Sequence, residues 1–344
     1  METLLELTRR AALGKRRHGE VARWLLDPVP RLQALQLELA RRSYEPGVPR
    51  GFVIHEPKRR LISALPFRDR IVQHYLIART LPALERWFAP QSYACRIGFG
   101  THRALRRAAE LHRVHPWLLR IDIAKFFPSI DHEQLLHLLL PRCARSVHWL
   151  VRRILAAASH IEPVTFHFPD DQLWSPLERP HGLPIGNLTS QVWANVMLTP
   201  IDHLIGSHLG LGCFVRYCDD LLIYTHDRAR LEAALVGIHR RCDQLRLRLH
   251  PRKCRLHRTS EPVTFVGFVL RRDGDRVVVR LRQEAVRRFR ARLATTVALF
   301  EAGALEPHDV IESLHAWLAH AAHAHTRALV QRVLRDFSLR LRSE

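Results

Sequence analysis

Apolar positions along the chain change period several times, and each change marks an element. Residues 1–45 carry helical spacing in two runs, LLELTRRAAL and LQALQLELARR, separated by Asp27-Pro28-Val29-Pro30, which predicts two helices with a break at the prolines. In GFVIHEPKRRLIS two β-branched runs flank Glu56-Pro57-Lys58-Arg59, the pattern of a short hairpin. Residues 68–88 and 101–114 have the spacing of amphipathic helices. WLLRIDIAKFF begins as a buried strand, and DHEQLLHLLL after it is a helix with Asp131 as its N-cap. Segment 141–180 predicts a helix and then a loop-and-strand excursion rich in Pro and Asp. GLPIGNLTS is a Gly/Pro turn feeding the helix QVWANVMLTPIDHLI, and CFVRY-CDD-LLIYT is strand–turn–strand. A helix over 228–247 follows, then strands EPVTFVGFVL and DRVVVRL around Asp273-Gly274, then a basic helical tail over 282–344. With no internal repeat or low-complexity linker, the subdomains are expected to be interleaved.

Composition narrows the classes. A chain of 344 residues can bury a large core and is expected to form two or three packed subdomains. No run of 18 apolar residues is available to span a membrane, and charges interrupt the N-terminus too often for a signal peptide. The six cysteines form no CxxC pair, which fits free thiols in a reducing, prokaryotic cytoplasm rather than zinc or disulfides. His315, His320, His323 and His325 lie in an Ala/Leu-rich helical stretch without matching acidic or Cys spacing, so a helix face is the simpler reading than a metal site. Charge changes the picture most. Lys and Arg number 54 against 33 Asp and Glu, a formal +21, which favours a polyanionic partner. Almost all of the excess is arginine; the lysines are Lys15, Lys58, Lys125 and Lys253.

The candidate chemistry is carboxylate chemistry. Asp219 and Asp220 are adjacent acids at the tip of an apolar hairpin, where Asn-Gly or Asp-Gly would make a cheaper turn. A solvated turn accounts for that pair alone. Asp122, at the end of another apolar strand, alters the balance, because an acid there is poor for packing unless the strand end opens on a site. If the two strands share one antiparallel sheet, three carboxylates meet at its rim and need cations to offset their repulsion. Hard oxygen ligands suit Mg²⁺, and two such ions suit nucleotidyl transfer.

With those residues in view, the chain resembles the reverse transcriptases. Tyr217-Cys218-Asp219-Asp220 resembles their YxDD box, and Asp122-Ile123-Ala124-Lys125-Phe126-Phe127 resembles the motif carrying the first metal-binding Asp. The resemblance covers roughly residues 50–270 in five blocks. It implies an α+β fold, a right-hand polymerase with fingers, palm (an antiparallel sheet plus helices) and a short helical thumb. The expected divisions are an N-terminal helical extension over 1–49, fingers over 50–116 and 132–180, palm over 117–131 and 181–275, and thumb over 276–344. It further implies RNA-directed DNA synthesis with two Mg²⁺ ions on Asp122, Asp219 and Asp220 and the Ile123 carbonyl, an RNA template, a DNA or cDNA primer, and dNTPs. Lys58 and Arg60 would grip the triphosphate and Arg70 would help shape that site. Phe127 would lie beneath the sugar and select deoxynucleotides, and Lys253 would stand near the departing pyrophosphate. Phe265 and Gly267, in a Phe-Val-Gly-Phe strand, would form the primer grip.

Gly182-Leu183-Pro184-Ile185-Gly186-Asn187-Leu188-Thr189-Ser190-Gln191 is the most discriminating block. Many of these enzymes have Gln-Gly where this chain has Ile185-Gly186; the pattern here is similar to the diversity-generating retroelement type. That subfamily implies copying of a template-repeat RNA with errors at adenines, a small basic helical accessory protein and a structured element RNA. Ile185 can only pack where Gln could hydrogen-bond, so a wider range of base-pair geometries should be tolerated. Phe99 departs from the type, which tends to carry a basic residue between the two glycines of GFG. The roughly 70 residues beyond the primer-grip region leave room for a helical thumb and no nuclease module. A phage-defence or otherwise domesticated bacterial reverse transcriptase remains an alternative, as does a basic RNA-binding protein on an inactive polymerase fold.

Overall fold

The computed structural model describes residues 3–55 and 59–341, so Lys58 and its expected grip on the triphosphate lie outside the described residues. The chain opens with α1 (Leu4–Ala11), α2 (Gly19–Leu26) and α3 (Pro28–Arg41). These are three helices where two were expected. Pro28 begins α3 instead of breaking it, because the first helical position needs no intrahelical N–H. Thr3 and Glu6 close a reciprocal capping box on α1, Thr3 N donating to Glu6 Oε2 at 2.7 Å.

The expected hairpin is β1 (Arg50–Ile54) with β2 (Arg60–Ala64), antiparallel with Ile54 opposite Arg60. Then come α4 (Phe67–Trp87), α5 (Thr101–Val114), β3 (Trp117–Ile121), the single turn α6 (Phe126–Ser129) and α7 (His132–Leu139). Asp131 caps α7 as expected, its Oδ1 accepting from Gln134 N at 2.9 Å. Next are α8 (His148–Ala156) and the short α9 (Ser175–Glu178). The strand expected between them is absent: residues 157–174 run as turns and irregular chain. The rest is α10 (Leu188–His203), β4 (Phe214–Tyr217), β5 (Asp220–Thr225), α11 (Arg228–Gln244) and β6 (Arg255–Arg258). After them come β7 (Val263–Phe265), β8 (Phe268–Asp273), β9 (Arg276–Leu281), α12 (Gln283–Glu301), α13 (Pro307–Ala321) and α14 (Arg327–Leu341).

One sequence run is divided. EPVTFVGFVL is not a single strand: β7 and β8 fold back on each other with Phe265 opposite Phe268. Val266 and Gly267 between them both have positive φ, 43° and 89°. A two-residue turn with both central residues left-handed matches the twist of an antiparallel pair, which is why the chain reverses there.

By contacts the chain divides into two compact units. The first comprises Met1–Cys95, Asp122–Gly210 and Ala234–Arg252. Its centre is α10, buried on nearly every side and packed against α4 and α7, with α1 also on α4. Buried polar side chains of α10 are bonded within the core, Asn195 Nδ2 donating to the Ala94 carbonyl at 2.8 Å and Thr199 Oγ1 to the Asn195 carbonyl at 2.8 Å. Asp131, fully buried, ties this unit together: its Oδ2 accepts from Arg246 Nη1 at 2.9 Å and faces Arg179 Nε at 3.2 Å.

The second unit comprises Arg96–Ile121, Leu211–Ala233 and Lys253–Glu344. It holds a four-stranded antiparallel sheet ordered β4-β5-β3-β6 and a three-stranded one ordered β7-β8-β9. Helix α5 lies across β4, β8 and β9, burying Ala104, Leu105, Ala108, Leu111 and His112 along one face. His112 takes a polar place in that core. Its Nε2 donates to the Thr259 carbonyl at 2.9 Å, and Nδ1 therefore accepts from the Tyr224 hydroxyl at 3.3 Å. Burial pushes the imidazole down to about 4.

Candidate active site

In the second unit, Asp219 and Asp220 sit at the turn between β4 and β5, both half-buried. Tyr217 pairs with Asp220 across that turn and Ile121 pairs with Leu221, so β3 ends at the sheet edge where the turn lies. Asp122 is the residue that follows β3 in the chain.

Arg120, Thr101 and Arg216 are among the side chains that brace the turn. Arg120, on β3, donates from Nε to Asp220 Oδ1 at 3.4 Å. Thr101 Oγ1, at the start of α5, donates to the Tyr217 hydroxyl at 3.1 Å. Arg216, on β4, is 1% exposed and donates from Nη1 to the Cys218 carbonyl at 3.1 Å. None of the three was singled out from the sequence. Arg120 and Arg216 were visible there as charges inside apolar runs, LLRI and FVRY, and that was the available signal.

In the first unit, Asp122 is nearly buried and its carbonyl accepts from His250 N at 2.8 Å. Ile123, also buried, bridges to Leu249, and Ala124 N donates to the Arg248 carbonyl at 2.8 Å. Lys125 takes a left-handed conformation (φ 46°, ψ 46°) ahead of α6 and pairs with Glu162 at 2.9 Å.

Several expected nucleotide-site residues share one hydrogen-bonded neighbourhood. The Phe127 carbonyl accepts from Leu183 N at 2.8 Å, and the Ile130 carbonyl from Gly182 N at 2.7 Å. Two residues on, the Ile185 carbonyl accepts from Ser63 N at 3.0 Å, so the Ile185 turn is stitched to β2, the strand that begins at Arg60. Gly182 and Gly186 carry the positive φ values, 94° and 111°, that let the turn fold this way.

Arg70 reaches back to the start of the chain. Its Nη2 donates to the Ala11 carbonyl at 2.8 Å, and burial lowers its pKa while Glu20 raises it. Those partners belong to the N-terminal helices, and the short FRDR segment gave no hint of them.

In the second unit Lys253 lies in the turn before β6. Phe265 and Phe268 are fully buried, whereas Gly267 is exposed at the tip of the β7–β8 turn, where an added Cβ would meet nothing within 4 Å. The expected primer-grip strand is therefore a hairpin tip. At Phe99, Arg96 stacks on the ring at 4.2 Å and Arg103 at 4.6 Å, so cations flank the position even though residue 99 is not basic. His320 and His323 gather with His102, the His102 and His323 rings stacking at 3.4 Å, while His325 Nδ1 accepts from Val279 N at 3.0 Å.

Among the described residues no group of three or more His, Cys, Asp or Glu side chains forms a ready-made metal cage, and no helix is long and apolar enough to cross a membrane.

Comparison with known proteins bears on the whole region. The chain is 24% identical over 312 residues to Protein YkfC of Escherichia coli (strain K12), covering 76% of this chain and 78% of that protein. The family described as "Reverse transcriptase (RNA-dependent DNA polymerase)" matches residues 54–270, a span that includes each candidate site residue from Lys58 to Gly267. With the larger part of the chain matched, this protein belongs to the reverse transcriptases: it is an RNA-dependent DNA polymerase, a nucleotidyltransferase that works on RNA template, primer and dNTPs.

Proposed function

We propose that Asp122, Asp219 and Asp220 are the metal-binding acids of this polymerase, with the Ile123 carbonyl as a further ligand to two Mg²⁺ ions. Register carries the reading: β3 ends opposite Leu221, at the same sheet edge as the Tyr217–Asp220 turn, and Asp122 is the next residue along the chain. Mg²⁺ is usually held by one or two carboxylates plus substrate phosphates and water, not by an all-protein cage, so this donor set fits without a preformed cluster. When bound, such ions neutralise phosphate charge and activate the primer 3′-hydroxyl. The protein's own part is to hold the acids aimed, and Arg120 serves that end at Asp220.

Around this centre, Lys58 and Arg60 grip the triphosphate, Phe127 lies beneath the incoming sugar, and Ile185 packs on the nascent pair. Lys253 is the proton donor to pyrophosphate, since an ammonium can give up a proton near neutrality and a guanidinium cannot. The primer grip is formed at the β7–β8 turn, Gly267 exposed at its tip and Phe265 buried behind it. The bonds linking Phe127, Leu183, Ile185 and Ser63 favour this grouping, because they fix sugar site, base-pair site and fingers hairpin together. Arg96 and Arg103 supply the template-phosphate contact that Phe99 cannot. In domain terms, 1–49 is the helical extension, 50–116 and 132–180 the fingers, 117–131 and 181–275 the palm, and 276–344 the thumb.

The finer biology we read from Ile185-Gly186-x-x-x-Ser190-Gln191: a diversity-generating retroelement enzyme that copies a template-repeat RNA into cDNA with errors at adenines. A small basic helical accessory protein and a structured element RNA assist it. A domesticated or phage-defence enzyme is the second reading; flanking DNA with two near-identical repeats differing at adenines selects the first.

The test of the centre is Mg²⁺-dependent extension of a DNA primer on an RNA template. Asp219→Ala is expected to lower the rate by about 10³-fold or more. Polymerisation at the wild-type rate in that variant would remove Asp219 from the centre.

A further inference from the structure

Arg216 is an expensive residue for its position. It stands in β4 between Val215 and Tyr217, 1% exposed, where an apolar side chain would avoid the cost of desolvating a permanent charge. Its Nη1 reaches two residues along the chain to the Cys218 carbonyl, at 3.1 Å. Cys218 is strained: its φ is 52°, the left-handed region that a side chain with a Cβ adopts reluctantly and glycine adopts freely. Cys218 and Asp219 are the two residues of the turn closed by the Tyr217–Asp220 pair, so any relaxation at Cys218 swings the carboxylate beside it. On either side the hairpin is tethered through side chains, Tyr217 to Thr101 and Asp220 to Arg120. Arg216 holds the backbone of the turn itself.

We propose that Arg216 is a positioning residue for DNA synthesis: its buried guanidinium clamps the Cys218 carbonyl, keeps the turn in its left-handed form, and so aims Asp219 and Asp220. The proposal rests on those two acids being metal ligands. Without the clamp, Cys218 would relax out of the left-handed region and carry Asp219 with it, whereas glycine occupies that region at no steric cost. Arginine suits the task because its planar fork delivers a donor at a set angle across two residues.

The experiment compares the full chain with Arg216→Met, Arg216→Lys, Cys218→Gly and the two double variants that combine Cys218→Gly with each Arg216 change. Each is assayed by primer extension on an RNA template with dNTPs and Mg²⁺, and each is checked by thermal melting. Arg216→Met is expected to lower kcat by about 10- to 100-fold, as a misaimed catalytic group does, with KM for dNTP within about twofold. Cys218→Gly in the Arg216→Met background should restore most of that loss, because glycine takes the left-handed conformation unaided; a role confined to supporting the fold would not be restored this way. Wild-type kcat in a folded Arg216→Met chain, or a loss that glycine leaves untouched, overturns the proposal. If Arg216→Met does not fold, Arg216→Lys and its double with Cys218→Gly are read by the same criterion, lysine keeping the charge without the fork. Asp219→Asn runs alongside: full activity there would sink the metal-ligand reading, while its inactivity combined with unchanged Arg216 variants would sink only the clamp.

Discussion

Mild acid should loosen the second unit through one side chain, His112. The ring is buried between the Thr259 carbonyl and the Tyr224 hydroxyl, with an arrangement of bonds that suits the neutral form. Burial holds its folded-state pKa at about 4, against 6.5 for an exposed imidazole. Because the folded value is depressed, the contribution of His112 is complete above 6.5 and is lost as pH falls toward 4: in that window the unfolded chain takes up a proton that the folded chain refuses. Each pH unit across the window costs about 1.4 kcal/mol, so the loss is about 2 kcal/mol at pH 5 and about 3 kcal/mol near pH 4. The assay is urea unfolding of wild type and His112→Gln at pH 7.5 and pH 5, reading the change in unfolding free energy between the two. Histidines common to both proteins cancel in the comparison. The wild type is expected to lose about 2 kcal/mol more than the variant on acidification. Equal losses would mean that His112 is either reached by water or already protonated in the folded chain, and the account of this core would be wrong.

Other outcomes follow from the same structure. Asp131→Asn keeps an N-cap acceptor for α7 but removes the charge shared by Arg179 and Arg246, leaving Asp171 to the first and Glu133 to the second; the expected destabilisation is about 1–3 kcal/mol by chemical denaturation, and a loss below about 0.5 kcal/mol would show that those two acids suffice. Ile185→Gln restores a hydrogen-bonding side chain beside the nascent pair and should lower misincorporation opposite template adenines by about tenfold in sequenced products. An unchanged adenine error spectrum would clear Ile185 of that role. Affinity for an RNA–DNA primer–template, followed by fluorescence anisotropy, should fall by about 10³-fold between 50 and 200 mM salt, since a chain of net charge +21 displaces several counterions. An affinity that holds steady over that range would contradict it.

Much of this molecule can be read directly from residue order. Period and punctuation are local properties, so α4, α5, α7, α10 and the β4–β5 hairpin all stand where the apolar spacing and the Asp131 cap put them. Asp219-Asp220 in an apolar hairpin, together with Asp122 after an apolar strand, points to polymerase chemistry from residue order alone, because acids in such places have no packing use. The fold supplied what depends on residues far apart in the chain. EPVTFVGFVL has a continuous strand pattern, and only the pairing of Phe265 with Phe268 divides it at a left-handed turn. The bond from Arg70 to the Ala11 carbonyl, 59 positions earlier, leaves no mark in the FRDR segment. Phe99 reads as a lost positive charge until Arg96 and Arg103 are seen on its ring. Arg216 is one more basic residue among 54 until burial isolates it. Hydrophobic period and turn chemistry act over a few residues and leave a mark in the string of letters; the worth of a charge depends on its depth and its partners, and those exist only once the chain has closed on itself.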